Sequence, residues 1–173
     1  MQILENYDQW KADFQRGWLA HWQETGEIDW SLYCRPDNQT APAGPAVDLA
    51  QSRLMLITTS GAHLPGQQAP FDAAHALGDY SIRLWPSSTP LEALAYSHDH
   101  YDQAAVHADP QVLLPLRHLE ELVGEGTIGE LAPSVVSFMG YQPDVSRVVD
   151  EMITEIVAAA RAEEAEAALL VPA

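Results

Sequence analysis

Aromatic residues near the N-terminus recur every three or four positions, and this spacing predicts a helix. Residues that far apart share one face of an α-helix. We expect such an apolar stripe to dock against the body of the protein or against a second subunit. The residues of the stripe, within residues 4–22, are Tyr7, Trp10, Phe14, Trp18 and Trp22. Residues 35–47, rich in Pro, Asn, Thr and Gly, predict an irregular connector.

From Arg53 onward the chain alternates short apolar runs with segments of helical periodicity. Residues 54–59 form a continuous apolar and β-branched run, which is typical of a buried parallel strand. Apolar positions at helical spacing predict two helices, one at residues 115–123 before Gly124 and a longer one that Asp144 caps. Further strands are predicted at residues 80–85, 135–139 and 167–171.

This order of strand, loop, helix, strand, helix and strand predicts an α/β fold. We expect a parallel sheet with helices on both faces, a three-layer arrangement of the Rossmann or flavodoxin type, preceded by the aromatic N-terminal helix. Residues 1–50 form the helical arm and connector in this interpretation, and residues 51–173 form the α/β domain. A chain of 173 residues, of which 47% are hydrophobic, is then a single domain overall with a buried core.

The charge balance excludes two classes of partner. Eight basic residues stand against 25 acidic ones, which gives a formal net charge of −17. A nucleic-acid-binding protein needs a basic surface to neutralise phosphates, and an anionic membrane would repel this chain. The acidic surface favours solubility or, alternatively, a basic docking partner. Because the apolar runs are too short to span a bilayer and no signal peptide is evident, we predict a soluble, cytoplasmic protein.

Cysteine usage argues against thiol chemistry by the residues of this sequence. Cys34 is its one cysteine, so an internal disulfide and a CxxC redox or zinc pair are excluded. The neighbouring Trp30 and Tyr33 are aromatic, which favours a small packed side chain over a reactive nucleophile.

Candidate functional residues follow the predicted strands, because ligands of open α/β sheets bind beyond the carboxyl ends of the strands. Gly61 permits close approach of the backbone to a ligand, and His63 adds an imidazole suited to proton transfer near neutral pH. Phe138 and Met139 hold the equivalent place after another strand, and residues 171–173 end the last one. A glycine after a strand is common without function, so each loop alone is a weak signal.

The densest polar cluster is residues 97–102 (SHDHYD). In an extended segment the side chains of His98, His100 and Asp102 project from one face, because side chains alternate with period two. Two imidazoles and a carboxylate on one side can bind a divalent metal ion or transfer protons. The H-x-H-x-D spacing also occurs in metallo-β-lactamase-type hydrolases, but Gln103 stands where a further His usually follows there. The alternative is a structural loop whose histidines cap neighbouring helices.

A series of short segments follows in order along the chain: 57–64 (ITTSGAHL), 70–72 (PFD), 78–81 (GDYS), 97–102 (SHDHYD), 114–119 (LPLRHL), 126–129 (GTIG), 131–133 (LAP) and 137–140 (SFMG). This ordered series resembles the selenoprotein B family of glycine, sarcosine, betaine and D-proline reductases. The likeness runs from about Arg53 to the last residue, which is about two-thirds of the chain. Each piece is weak alone, and the order carries the resemblance.

The resemblance implies an oxidoreductase in which a selenocysteine, or a cysteine in short relatives, attacks the substrate and breaks a C–N bond. Such chemistry needs a selenolate or thiolate of low pKa as the nucleophile. In relatives that residue follows directly on the strand matching residues 167–171, whereas this sequence stops at Ala173 without it. We therefore expect a chain truncated at a selenocysteine codon, a shortened relative that kept only binding, or a missing half supplied by a separate polypeptide.

The resemblance also implies a small amine or amino-acid-like substrate and further reductase subunits or a redox partner. The aromatic stripe near the N-terminus, as a candidate docking face, is the reason to expect a homo-oligomer. We expect His98 or His100 to protonate the leaving amine, Asp102 to orient one ring and His63 to stabilise the anionic nucleophile. The candidate catalytic residues are His98, His100, Asp102 and His63. The candidate substrate-binding residues are Gly61, Asp79, Tyr101, Phe138 and Met139.

Two further hypotheses stay open at this point. The protein is a non-catalytic binding or interaction module in the first, which the missing nucleophile, the aromatic stripe and the negative charge favour. In the second it is a metal-dependent enzyme that holds a divalent ion on His98, His100 and Asp102. Beyond this metal ion and the missing selenocysteine or cysteine, the sequence names no cofactor.

Overall fold

The computed structural model describes residues 4–40 and 46–173 of the chain. Its helices are α1 (Tyr7–Phe14), α2 (Ala20–Thr25), α3 (Ala104–Ala108), α4 (Leu116–Gly124), α5 (Val145–Arg147) and α6 (Ile153–Ala162). A π-helical turn at Gln15–Leu19 joins α1 to α2, and another at Val148–Met152 joins α5 to α6. The strands are β1 (Arg53–Thr58), β2 (Ala62–His63), β3 (Arg83–Pro86), β4 (Ala95–Tyr96), β5 (Glu130–Leu131), β6 (Ser134–Ser137) and β7 (Ala167–Val171).

The main sheet is built around β1, which is buried along almost its whole length. β7 pairs with β1 in parallel from Leu54 to Thr58. Because Leu54 also pairs with β5 and Thr58 also pairs with β6, β5 and β6 follow one another along the opposite side of β1. Both of these pairings are parallel as well. The predicted parallel sheet is thus confirmed for these four strands.

The prediction of a parallel sheet is wrong for β3, which pairs with β6 in the antiparallel direction and closes one edge of the sheet. A parallel strand needs a crossover connection, usually a helix, to return the chain to the same end of the sheet. Residues 64–82, which lead into β3, contain no helix. The sheet is therefore mixed, and β2 and β4 form a separate small antiparallel pair beside it.

Helices cover both faces of β1, as the apolar run predicts. On one face, Leu54 and Leu56 belong to a buried cluster with Leu116 and Leu119 of α4. On the other face, the intervening residues of β1 pack against α6. The fold is therefore of the α/β class. None of the helices in the described parts of the chain is long and apolar enough to cross a bilayer.

The aromatic stripe docks on the body of its own chain. Phe14 and Trp18 are fully buried, and Trp10, Phe14 and Trp18 stack in sequence with ring centroids 5.4 Å apart. Their cluster includes Leu77 of the α/β part and the partly buried Val145 of α5. The docking prediction is confirmed for the first of its two alternatives, and the stripe is no longer a reason to expect a second subunit.

Candidate functional site

A cavity of about 330 Å³ opens at the carboxyl ends of the central strands. Each wall comes from a segment that directly follows a strand or the small β2–β4 pair: Thr59 follows β1, Gly140 follows β6 and Pro172 follows β7. This is the edge at which open α/β sheets bind ligands. The lining residues are Thr59, His98, His100, Gly140, Tyr141, Pro172 and Ala173.

Backbone hydrogen bonds fix the loops around this cavity. The Gly61 N–H donates to the Phe138 carbonyl at 3.0 Å, and the Ser97 N–H donates to the Gly61 carbonyl at 3.0 Å. Gly61 has a φ of +70°, and a Cβ built there would lie 2.5 Å from the Ser97 carbonyl oxygen. Only glycine fits this conformation and this close approach. The structure therefore gives Gly61 the role of joining two loops, and it lies outside the cavity lining.

His98 is the one buried polar side chain of the lining, with 4% of its surface exposed. Its Nδ1 accepts a hydrogen bond from the His100 backbone N–H at 3.1 Å. An amide N–H can only donate, so the neutral ring carries its proton on Nε2. That atom is directed towards Gly140, because a Cβ built on Gly140 would lie 3.2 Å from it. The absence of a side chain at Gly140 leaves Nε2 room for a ligand.

Burial lowers the pKa of His98, and the neighbouring His100 lowers it further, against a smaller opposing effect of Asp99. Desolvation disfavours the charged imidazolium, so His98 is neutral at neutral pH. A neutral ring with Nδ1 occupied by a donor presents a single N–H to the cavity. The site therefore offers a positioned hydrogen-bond donor at His98 without a positive charge.

Tyr141 forms the other side of the cavity, and the sequence analysis missed it. Its ring stacks on the exposed His100 ring with centroids 3.6 Å apart and planes 16° apart. The backbone of Tyr141 approaches Gly78 closely: φ is +75° at Gly78, and a Cβ built there would lie 1.9 Å from the Tyr141 carbonyl oxygen. The available signal was its position, directly after the 137–140 segment that follows a strand.

Tyr101 packs against the His98 ring. Its hydroxyl donates to the Ser60 carbonyl at 3.0 Å, and its ring lies 4.8 Å from the His98 ring, nearly edge-on. Burial raises the pKa of Tyr101 to about 12, so it stays a neutral donor. Tyr101 therefore helps to position His98, and it is not among the residues that line the cavity.

The other predicted site residues have partners elsewhere. The Nδ1 of buried His63 lies 3.3 Å from the Gly61 carbonyl, and its ring meets Phe71 edge-on. Burial by itself would raise the pKa of Asp79, but hydrogen bonds from Ser81 and Asp72, with the charge of Arg83, together lower it. Met139 is fully buried, and Phe138 packs beside the cluster on the α6 face of the sheet. The catalytic role of His63 and the substrate-binding roles of the other three residues remain predictions.

The structure does not gather the predicted metal ligands. Asp102 accepts the backbone N–H of Ala104, the first residue of α3, at 2.9 Å, whereas the His98 ring is oriented by the His100 backbone. Within residues 4–40 and 46–173, no group of three or more His, Cys, Asp or Glu side chains is placed to hold a metal ion. The geometry thus gives the metal hypothesis no support.

Comparison with known proteins identifies the family. Residues 29–173 match the model of the family described as glycine/sarcosine/betaine reductase selenoprotein B. The chain is 30% identical over 123 residues to a D-proline reductase subunit gamma of Acetoanaerobium sticklandii, an alignment that covers 71% of this chain and 49% of that protein. It is 32% identical over 118 residues to a sarcosine reductase complex component B subunit beta of Peptoclostridium acidaminophilum, covering 66% and 27%.

The fold and the strand-end site define an α/β protein with a cavity at the carboxyl ends of its central strands, and the chain belongs to the glycine/sarcosine/betaine reductase selenoprotein B family. The alignments span about half of one curated relative and about a quarter of the other. No solved structure is significantly similar to the chain.

Proposed function

We propose that the cavity binds a small amine or amino-acid-like substrate for a reductase that cleaves its C–N bond. The observation that carries the proposal is the buried His98, whose one free N–H faces a cavity of about 330 Å³ at the strand ends. Family membership supports the reaction class. The relatives' names specify D-proline and sarcosine, which are both small amino acids.

The chemistry of the cavity suits such a ligand. A small amino acid carries a carboxylate, which accepts hydrogen bonds, and the His98 Nε2–H is a donor placed to meet it. The volume lies at the lower end of the range typical of ligand pockets, which favours a small molecule. The stacked rings of His100 and Tyr141 supply a flat wall for the apolar part of the ligand.

Reductive cleavage transfers the C–N bonding electrons to nitrogen, while an incoming selenolate or thiolate forms a new bond to carbon. We assign to His100 the delivery of the proton that the departing amine takes up, because its exposed ring can exchange protons with solvent. Cys34 does not suit the nucleophile's role, since burial raises the pKa of its thiol. The proposal therefore gives this chain substrate binding and proton delivery, with the nucleophile coming from outside the 173 residues.

Isothermal titration calorimetry with glycine, sarcosine, betaine and D-proline tests substrate binding. The key variant is His98→Asn, because an Asn side-chain oxygen can still accept the His100 N–H while the Nε2–H is lost. The matched control is His118→Asn, which changes an exposed histidine on α4. We expect saturable binding of at least one compound, weakened about tenfold or more in His98→Asn and unchanged in the control. Absence of binding by the native chain, or equal affinity of His98→Asn, would contradict the proposal.

One observation favours a non-catalytic binding protein as the second candidate: the sole cysteine lies in the aromatic cluster and is disfavoured as a thiolate. Both candidates predict ligand binding, and turnover separates them. Cleavage of the C–N bond of the bound compound, with a dithiol reductant and a selenol- or thiol-bearing subunit of the family added, supports the reductase. Such cleavage releases a free amine from glycine, sarcosine or betaine and opens the ring of D-proline. Binding without any cleavage under those conditions supports the binding protein.

A further inference from the structure

β7 is an open edge strand, yet its sequence lacks the residues that normally protect such an edge from pairing. In the described parts of the chain, β7 pairs with β1 on one side and with no strand on the other. Its five residues, AALLV, include no charge and no proline, and Leu170 is 68% exposed. Exposed edge strands normally carry charges, prolines or bulges that prevent pairing. A strand that is apolar on both faces is typical of the interior of a sheet.

The backbone of β7 offers a short, regular set of free hydrogen-bonding groups. The Val171 carbonyl accepts the Thr59 N–H at 3.1 Å, so Val171 directs its peptide groups towards β1. Because these groups alternate in direction along a strand, Leu169 does the same, and Ala168 and Leu170 direct theirs outward. Two donors and two acceptors are thus aligned along the free edge.

The side chains of β7 divide between the two faces of the sheet in the same alternating manner. Ala167, Leu169 and Val171 pack at the border of the cluster on the α4 face. Ala168 and Leu170 lie on the α6 face, and both are exposed. The two faces therefore each present a small residue near the start of the strand and a larger one near its end.

We propose that the free edge of β7 pairs with β7 of a second copy of this chain, antiparallel and about a two-fold axis at Leu169. Ala168 then lies opposite Leu170 of the partner subunit, and the outward peptide groups of these residues form a hydrogen-bonded pair. On the other face, Ala167 lies opposite Val171 of the partner subunit. Every small side chain meets a larger one, so the strand is complementary to itself in both hydrogen bonding and volume.

The charges near β7 fit this register. Glu166 lies opposite Pro172 of the partner subunit, so no two carboxylates are directly opposed. The two copies of Glu166 are six residues apart along the pair, roughly 20 Å, which exceeds the Debye length of about 8 Å at physiological salt. The net charge of −17 on each copy still opposes association. The dimer is therefore expected to strengthen as salt concentration rises.

Sedimentation equilibrium of the native chain tests this pairing directly, and the test does not depend on the proposed function. Two paired strands form a small interface, so we expect a concentration-dependent shift from 19.0 kDa towards twice that mass, with a dissociation constant on the order of micromolar. Raising the salt concentration about tenfold should lower that constant. A mass of 19.0 kDa at every concentration and salt level would overturn the proposal.

Four variants test the proposed edge and its register. Leu170→Lys places two charges in the interface. Ala168→Pro removes an outward N–H that is free in the monomer but paired in the proposed dimer. Each variant should weaken the dimer at least tenfold. The double exchange Ala168→Leu with Leu170→Ala restores a small residue opposite a large one, so it should dimerise better than Leu170→Ala alone. The control is Leu84→Lys, because Leu84 is 42% exposed on β3 at the other edge.

Circular dichroism must show each variant folded, which the exposure of both positions favours. A dimer that persists unchanged in Leu170→Lys and Ala168→Pro would overturn the proposed edge. Loss of the dimer in Leu84→Lys alone would instead place the interface at β3.

Discussion

The two edges of the main sheet are built in opposite ways. β3 contains Arg83 and Pro86, and the loop before it covers its edge: Gln68 donates to the Leu84 carbonyl at 2.7 Å, and Arg83 donates to the Ala69 carbonyl at 2.9 Å. β7, at the other edge, has five apolar residues and, among residues 4–40 and 46–173, no strand pairs with its outer side. A charge, a proline and a covering loop are the usual protections of an edge strand.

The contrast distinguishes the β3 edge, which the protein itself protects, from the β7 edge, which is open to interaction. The β3 edge contributes a buried side chain to the hydrophobic core, since Trp85 is 1% exposed. The β7 edge leads into the cavity, since Pro172 and Ala173 line it and the Ala173 N–H donates to the Thr59 hydroxyl oxygen at 2.6 Å. Substitutions at the closed edge should therefore change stability, and substitutions at the open edge should change association or binding.

The largest expected effect is that of Trp85→Ala at the closed edge. Removing a fully buried indole leaves a cavity, which costs about 3–5 kcal/mol of the free energy of unfolding. Urea denaturation followed by circular dichroism measures the change. Leu170→Ala at the open edge is the matched comparison and should cost less than about 1 kcal/mol, because that side chain is 68% exposed. Similar costs for the two substitutions would break the comparison of the edges.

Arg83→Ala should have an intermediate effect. The guanidinium donates to the Ser81 hydroxyl at 2.7 Å and lies 4.3 Å from the centre of the Phe71 ring. Losing these contacts should destabilise the protein by about 1–2 kcal/mol and expose residues 64–82 to proteolysis. Limited proteolysis at constant protease concentration detects the exposure. Arg83→Lys is the control that keeps the charge but not the planar fork of hydrogen-bond donors. If Arg83→Ala is cleaved as slowly as the native protein, the covering role of this loop is refuted.

The smallest effect is the pH dependence contributed by His98. Its pKa is lowered in the folded protein, so the unfolded chain takes up a proton as pH falls and the folded chain resists it. The contribution of neutral His98 is fully present above the unfolded pKa of about 6.5 and is lost as pH decreases from there through the lower folded pKa. Urea midpoints at pH 7.5 and 5.5 should differ less in His98→Asn than in the native chain. An equal or larger difference in the variant would contradict the burial argument.

The sequence predicted the elements that depend on apolar spacing. Continuous apolar runs located β1, β6 and β7, and the helical spacing of Leu116 and Leu119 located α4. The sequence did not predict the direction of β3. That direction depends on whether residues 64–82 form a crossover helix, and this irregular segment has no periodicity from which to tell. Long-range pairing decides such a segment.

The candidate site was predicted in part for the same reason. Its position at the strand ends follows from fold class, and His98 and His100 do line the cavity. Asp102 does not follow the predicted alternation of an extended segment, since residues 99–101 form a bend and its carboxylate accepts the Ala104 N–H at the start of α3. Tyr141 was missed because its place depends on Gly78, 63 positions away, and on stacking with a residue of another loop.

The binding role of His98 is tested most directly by imidazole NMR of the native chain during a ligand titration. Histidines outside the cavity are built-in controls, because His118 is exposed on α4 and His63 is buried away from the cavity. With D-proline or sarcosine, we predict saturable shifts of the His98 Nε2–H and of the His100 ring, and none at His118 or His21. Shifts that are absent at His98, or equal at all seven rings, would contradict the account.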